Sequence, residues 1–327
     1  MALHPIDHFA AGHRLRPIEL LPWALAVGYF FLPNANLPLG TEILIWALFA
    51  LSLDLVLGYT GIVSLGHAAF FGIGAYAAGL AARWLGWTEP ISALLFAGLV
   101  AGAAGIVSGM IVLRTHGLTL LMLTMAVAVM LKEIANKLGW LTGGADGLQG
   151  IVIDPVLGLY RFDMFGRTSY VYALVVLFLA WIVARRIVHS PFGRGLVGIR
   201  ENATRMSAIG SPVMRRMVTV YAISAALAGV AGALLAQSTR YVTLNVLSLE
   251  YSGDVLIMLV LGGMGRLYGA FAGATVFLVL RDELSKISPA YWGFGIGLLL
   301  VATVLFARGG LLGLVDIALA RIRGKRS

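Results

Sequence analysis

An all-α bundle of membrane-spanning helices is the fold class this sequence predicts, and three observations predict it. Hydrophobic residues make up 60% of the chain and charged residues 12%, where a soluble domain carries about 25% charge. The mean hydropathy is +0.91. Apolar runs of about 17 or more residues, long enough to approach the span of a hydrocarbon core, recur along the chain. A soluble protein of this size would need polar faces on its surface helices, and these runs lack them.

Ten spans follow from the pattern, with 8–10 as the range: residues 18–33, 40–57, 62–82, 90–113, 117–138, 169–189, 217–237, 251–265, 267–283 and 289–307. Proline stands at many boundaries, at Pro33, Pro38, Pro90, Pro155, Pro191, Pro212 and Pro289, because it cannot continue a helix from the preceding turn. The chain divides into an N-terminal segment 1–17, a transmembrane domain 18–307 and a basic tail 308–327. Spans 251–265 and 267–283 are short for a core of about 30 Å and read as half-helices or a re-entrant pair.

Basic residues set the orientation. The net charge is +9, and Lys and Arg sit between spans rather than in a soluble basic patch, so orientation in a membrane explains them and nucleic-acid binding does not. Segment 185–216 holds seven arginines against Glu201. The tail holds Arg308, Arg321, Arg323, Lys325 and Arg326 against Asp316. Both are expected on the cytoplasmic side. Six spans precede the first and four separate the two, so both fall on one side, with Arg14 and Arg16 of the N-terminus. Loop 139–168 then faces outward. Its mixed charge (Asp146, Asp154, Arg161, Asp163, Arg167) suits either a docking surface for an extracytoplasmic partner or an ordinary solvated loop.

Several chemistries are excluded. There is no cysteine, hence no disulfide or thiolate site. No Gly-x-x-x-x-Gly-Lys-[Ser/Thr] phosphate loop and no His-Glu-x-x-His occur. Gly263, Gly265 and Gly269 have the wrong spacing for a dinucleotide loop, and the six histidines have no metal-ligand spacing. No enzyme, metal or cofactor is expected. Residues 1–17 lack the apolar core and cleavage site of a signal peptide.

Glycine numbers 41. Pairs four apart, Gly98/Gly102, Gly105/Gly109, Gly269/Gly273 and Gly293/Gly297, read as close helix packing. Two clusters are denser. In the first, Gly58 to Tyr76, the glycines disfavour a regular helix start. Irregular backbone inside a bilayer needs cover from protein or a water-filled cavity, and transport proteins place broken helices near the substrate path. Ser64, Gly66, His67, Gly72 and Tyr76 therefore read as a bend bordering a pathway, or as a tight turn joining two spans. In the second, Gly262, Gly263 and Gly265 interrupt an apolar run beside Arg266, and a weak likeness to the first hints at an internal repeat. Asp54 and His67 lie away from span ends, where a charge in lipid costs on the order of 3 kcal/mol. A proton relay through them would make an ion-coupled secondary transporter, the alternative reading.

Residues 190–216 remain. Ser190-Pro191 suits a stop after the sixth span. A short helix is expected over 195–209, ending at Gly210 before Pro212. Leu196, Ile199, Ala203, Met206 and Ile209 mark an apolar stripe with arginine opposite. Such an element presses into a groove of another protein or lies on anionic lipid.

Four motifs then carry a resemblance. Gly198-Ile199-Arg200-Glu201-Asn202-Ala203 with Ala208-Ile209-Gly210, the run Ser64 to Tyr76, Gly143-Gly144-Ala145-Asp146-Gly147-Leu148-Gln149-Gly150-Ile151 and Val260-Leu261-Gly262-Gly263-Met264-Gly265 resemble, in order, the branched-chain amino acid (LivM-type) permeases of ABC importers. The likeness covers roughly residues 45–310. It implies an inner-membrane permease subunit of a bacterium, paired with a second, LivH-like permease, two cytoplasmic ABC ATPases and a periplasmic substrate-binding protein. It implies that Arg194, Arg200, Glu201, Asn202, Ala203, Arg205 and Gly210 form the ATPase-coupling loop. Asn202 stands where the wider importer loop has alanine, and Gly210 follows Glu201 by nine residues. Branched-chain amino acids are the implied solutes; related permeases are assigned to urea, short amides or aromatic acids.

Overall fold

Each apolar run folds as a helix, and several of the helix starts carry a local signal. The computed structural model describes residues 21–32, 35–163, 165–289, 291–306 and 309–313. The expected N-terminal segment 1–17 and most of the basic tail lie outside them. The helices are α1 (Leu21–Phe30), α2 (Leu37–Thr60), α3 (His67–Trp84), α4 (Pro90–Val112), α5 (Leu118–Lys137), α6 (Arg167–His189), α7 (Pro191–Ala208), α8 (Val213–Thr239), α9 (Leu249–Gly262), α10 (Leu267–Ile287) and α11 (Trp292–Phe306). Pro38, Pro90 and Pro191 occupy first turns, where their missing N–H costs nothing. Asn36, Glu89 and Ser190 accept hydrogen bonds from the backbone N–H groups just inside α2, α4 and α7.

Among the described residues, α2, α4, α5, α6 and α8 are long and apolar enough to cross a membrane. α9 and α10 pass only as a pair, bent by 114° at residues 263–266. The chain is thus a multi-pass membrane protein. α2 is buried along nearly its whole length. The glycine pairs of α4 face α8, where a Cβ on Gly98, Gly102, Gly105 or Gly109 would meet Val230, Ala226, Ala225 or Tyr221, whereas Gly293 and Gly297 face open space.

Contacts fix the direction of each helix. α2 descends towards α7, and Gly61, at its end, lies against Arg200. α3 ascends, since Arg83 near its far end donates to the Gln149 carbonyl at 2.8 Å. α4 descends and α5 ascends. α8 ascends from α7 and α9 descends. α10 ascends and α11 returns to place Gly310 against Gly263. α2–α5 and α8–α11 therefore share one order in opposite senses: a long helix, a link without α-helix (with one 3-10 turn, Leu244–Leu247, in the second half), a helix starting inside the molecule, then two more. The repeat pairs link 61–66 with link 240–248, rather than the two glycine clusters.

Link 240–248 travels inward along α3. Val242 lies beside Gly79, Leu247 against Gly72, and Ser252 reaches Ala68. Eleven residues of helix separate Gly79 from Ala68, a depth of about 16 Å. Tyr251, in the first turn of α9, lies 4.9 Å ring to ring from Trp46 in the middle of α2, so α9 starts near mid-depth. The expected half-helix at 251–265 is found.

The Gly143–Ile151 motif holds this link. Leu148 and Val242 form an antiparallel bridge with N···O distances of 2.8 and 3.1 Å. Tyr241 donates to the Asp146 carbonyl at 2.8 Å. Gly143, Gly144, Gly147 and Gly150 all have positive φ, and a Cβ on Gly147 would meet Tyr241 and the Val242 carbonyl at 2.8 Å. Much of loop 139–168 thus folds on its own chain, while Leu157, Leu159, Tyr160 and Phe165 stay exposed.

Candidate functional site

α2 ends in Gly61 at φ 75°, whose N–H bonds the Leu57 carbonyl. Link 61–66 then climbs back beside α2, so that His67 Nε2 lies 2.9 Å from Ser52 Oγ, about two turns above the end of α2. The link has no helical partners for its backbone, and an unpaired buried N–H costs about 1–3 kcal/mol. Hydroxyl groups supply the partners. Leu65 N donates to Thr124 Oγ1 at 3.3 Å, Gly66 N to Ser64 Oγ at 3.3 Å and Ala68 N to Ser252 Oγ at 3.0 Å. The last bond joins the buried starts of α3 and α9. His67 is fully buried and stacks on Phe49 at 5.5 Å.

α3 runs unbroken from His67 to Trp84. The bend expected within Gly58–Tyr76 is therefore a non-helical link followed by a regular helix. Its glycines serve close approach: a Cβ on Gly66, Gly72 or Gly74 would run into the Thr124 carbonyl, the Leu247 side chain or the Gly229 backbone. Tyr76 is buried on the same helix.

The break between α9 and α10 is built differently. Gly263 and Gly265 have φ of 110° and 75°, open only to glycine at low cost. Gly262 abuts the Gly269 carbonyl and Gly273. Gly265 N donates to Asp54 Oδ1 at 2.7 Å, and the other oxygen of this fully buried carboxylate has no hydrogen-bond partner among the described residues. Ser52 and Asp54, two apart on α2, face different neighbours. His67 meets Ser52 and Asp54 meets Gly265, so no hydrogen bond joins the two ionisable groups that would form a relay.

α7 follows α6 through a sharp turn at Ser190 and Gly193. Gly195, Leu196 and Ile199 are buried, and Arg216 of α8 crosses over Gly195. The single amphipathic helix expected over 195–209 is interrupted. Asn202 has extended backbone (φ −161°, ψ 97°), and its Oδ1 accepts from Arg205 N at 2.8 Å. It acts as the N-cap of a second short helix, a role alanine cannot fill. The second piece folds back, with Met206 Sδ 2.8 Å from where a Gly198 Cβ would stand. Ala203 and Ile209 are consequently exposed, off the expected apolar stripe. Gly210 closes the segment at φ 84°. A cavity of about 1130 Å³ lies between α7, link 61–66 and the starts of α5 and α8, lined by Ile62, His116, Leu121, Ile199, Ser211 and Met214.

The loop residues point two ways. Arg194, Glu201, Asn202, Ala203 and Arg205 are exposed. Arg200 is exposed as well, but its Nη1 crosses to α2 and donates to the Gly58 carbonyl.

Sequence comparison now adds to this geometry. The family described as the branched-chain amino acid transport system permease component matches residues 39–304. The chain belongs to this family. It is 29% identical to the high-affinity branched-chain amino acid transport system permease protein LivM of Escherichia coli, over 95% of this chain and 77% of that protein. It is 27% identical to a probable LivM of Methanocaldococcus jannaschii, over 75% of this chain and 81% of that one. The L-arabinose ABC transporter permease protein AraH of Azospirillum brasilense is 26% identical over 64% of this chain and 61% of its own length. No solved structure is matched.

Within this LivM-type permease, the residues singled out from sequence form two groups. Ser64, Gly66, His67 and Gly72 gather where α3 starts beside α9, whereas Tyr76 lies more than two turns further along α3. Gly262, Gly263 and Gly265 gather at the α9–α10 break, beside Arg200. Sequence reasoning missed Thr124 and Ser252, which supply buried hydrogen-bond acceptors to link 61–66 and α3. Their signal was slight: each is one of only two hydroxyl residues in its apolar run, Thr124 with Thr119 and Ser252 with Tyr251.

Proposed function

We propose that the chain is a membrane-spanning subunit of an ATP-driven importer, with the outer part of α7 as the docking surface for cytoplasmic ABC ATPases. One observation carries this reading. Asn202 breaks α7, so that Glu201, Asn202, Ala203 and Arg205 stand exposed on a short, self-capped knob while Leu196 and Ile199 anchor its base. A knob with a buried root passes force into the bundle. The α7 end then faces the cytoplasm, the side that the arginines of 185–216 favour, and the exposed apolar residues around Leu157 and Phe165 offer a surface to a periplasmic binding protein. A second, LivH-like permease completes the pathway, against the lipid-exposed faces of this bundle. The names of the LivM relatives support branched-chain amino acids as the solute, with L-arabinose from AraH as the contrasting class.

The test is gentle purification of the full-length chain from its native membrane, followed by uptake in vesicles. An ATPase and a second permease should co-purify, and labelled leucine should accumulate only with ATP and binding protein. Uptake driven by a proton gradient alone would overturn the reading. Glu201→Arg should strip the ATPase from an otherwise inserted permease.

A further inference from the structure

One side chain of α7 reaches the bundle's irregular segments by a hydrogen bond. Arg200 leaves α7 and crosses to the end of α2, a sequence distance of 142 residues. Its Nη1 donates to the Gly58 carbonyl, one of the last-turn carbonyls of α2 that lack an intrahelical partner. Its Cγ lies 3.2 Å from where a Gly61 Cβ would stand, at the mouth of link 61–66. Its Nη1 lies 3.4 Å from the corresponding point of Gly265, in the α9–α10 break. On the other side of that break the Asp54 carboxylate receives the Gly265 N–H at 2.7 Å. A Cβ on Gly58 would run into both Asp54 and the Gly265 backbone, so the end of α2 and the break are in direct contact. One side chain of α7 therefore runs its methylenes past the entrance of the link that starts α3, bonds the end of α2 through its guanidinium and brings that guanidinium beside the break that ends α9.

The geometry points to Arg200 as a positioning residue of transport: a strut that carries displacement of the docked α7 to link 61–66 and the α9–α10 break, with Asp54 as the fixed anchor across Gly265. Its work is transmission, whereas Glu201, Asn202 and Arg205 dock. A lever of this kind has a specific requirement. Two sites are coupled only when the contacts between them differ between two states. A side chain bound to a backbone carbonyl and beside two positive-φ glycines meets it, because glycine backbone reorients at low steric cost. The alternative role, in which Arg200 is one more docking contact, predicts a different failure.

The inference rests on the ATP-driven reading above, and the experiment separates the two. The complete complex is reconstituted in lipid vesicles with loaded binding protein, and both ATP hydrolysis and labelled leucine uptake are measured. Arg200→Met should keep its ATPase subunits through purification and keep hydrolysing ATP. Solute moved per ATP should fall by about tenfold, within the range of coupling between two sites. Arg200→Lys, which still donates to Gly58, should recover most of that ratio. Asp54→Asn, of the same size without the charge, should lower the ratio in the same direction. An unchanged ratio in Arg200→Met, or loss of the ATPase subunits from it, overturns the strut. If Arg200→Met gives no folded protein, Arg200→Lys and Asp54→Asn decide: a wild-type ratio in Asp54→Asn with a collapsed one in Arg200→Lys removes Asp54 from the device and overturns it. A wild-type complex that holds no ATPase fails at the earlier step and refutes the functional reading instead.

Discussion

Links 61–66 and 240–248 occupy equivalent places in the two inverted halves, yet they are held by different kinds of bond. Link 240–248 is fixed through the backbone bridge of Leu148 and Val242 and a glycine turn of four positive-φ residues, with its own Tyr241 and Arg240 side chains bonding loop carbonyls. Link 61–66 is fixed by side chains from elsewhere: Thr124 of α5, Ser252 of α9 for the start of α3, and Arg200 of α7. Backbone pins set by local geometry have no second arrangement of similar energy. Side-chain pins can be drawn away by the element that carries them. The difference makes the α7 end the adjustable half and the opposite end the fixed one.

The largest test of that contrast is Leu148→Ala. Leu148 is fully buried beside Gly79 and Val242, and emptying such a site costs about 2–5 kcal/mol. Thermal unfolding of the purified complex should fall sharply, while solute moved per ATP in the surviving fraction stays at the wild-type value. A changed ratio would break the comparison. Gly66→Ala comes next, since its Cβ would strike the Thr124 backbone and overpacking costs about 1–3 kcal/mol; here both melting temperature and leucine uptake should drop. Ser252→Ala strips Ala68 N of its acceptor, for about 1–2 kcal/mol within the range for an orphaned buried donor. Hydrogen exchange should rise at Ala68 and leave Val242 protected.

Asn202→Ala is smaller, about 1 kcal/mol for a lost cap, and its effect should appear as a several-fold weaker hold on the ATPase, with Asn202→Asp close to wild type. The smallest effect is at Glu89, which caps α4 on the fixed side. Hydrogen bonds donated to it, chiefly by the Ser92 side-chain hydroxyl and also by Ser92 N and Ile91 N, hold this carboxyl below its usual 4.5. A depressed folded value means the cap contributes above pH 4.5 and is lost as pH falls through the lower value. Protection of Ile91 N and Ser92 N, taken relative to the intrinsic exchange rate at each pH, should fall only in that acid range and should stay constant with pH in Glu89→Gln.

Much of this was readable beforehand. Proline at Pro38 and Pro90 stood at true helix starts, Pro191, read as a stop after the sixth span, in fact opens α7 four residues before the expected start, and the short runs at 251–283 announced a broken pair. Gly210 closes α7 as its position suggested. The errors have one source. A single helix over 195–209 fits the spacing of Leu196, Ile199 and Ala203, but Asn202 gains more by capping the next turn than by continuing the last. The bend read into Gly58–Tyr76 came from glycine content, whereas Gly72 and Gly74 are small because Leu247 and Gly229 press on them from residues far along the chain.

The sequence by itself determined the membrane class, the helices and most of their limits, because hydropathy and capping act within a few residues. It also determined the family, through four ordered motifs. Only the tertiary structure decided that α3 and α9 start inside the bundle and meet, that Arg200 bonds the end of α2, and that Asp54 serves the α9–α10 break. Those outcomes depend on bonds such as Gly265 to Asp54, 211 residues apart. No local pattern encodes which buried N–H a distant carboxylate or hydroxyl will satisfy; the apolar interior, where every such group must find a partner, makes that choice once the helices have packed.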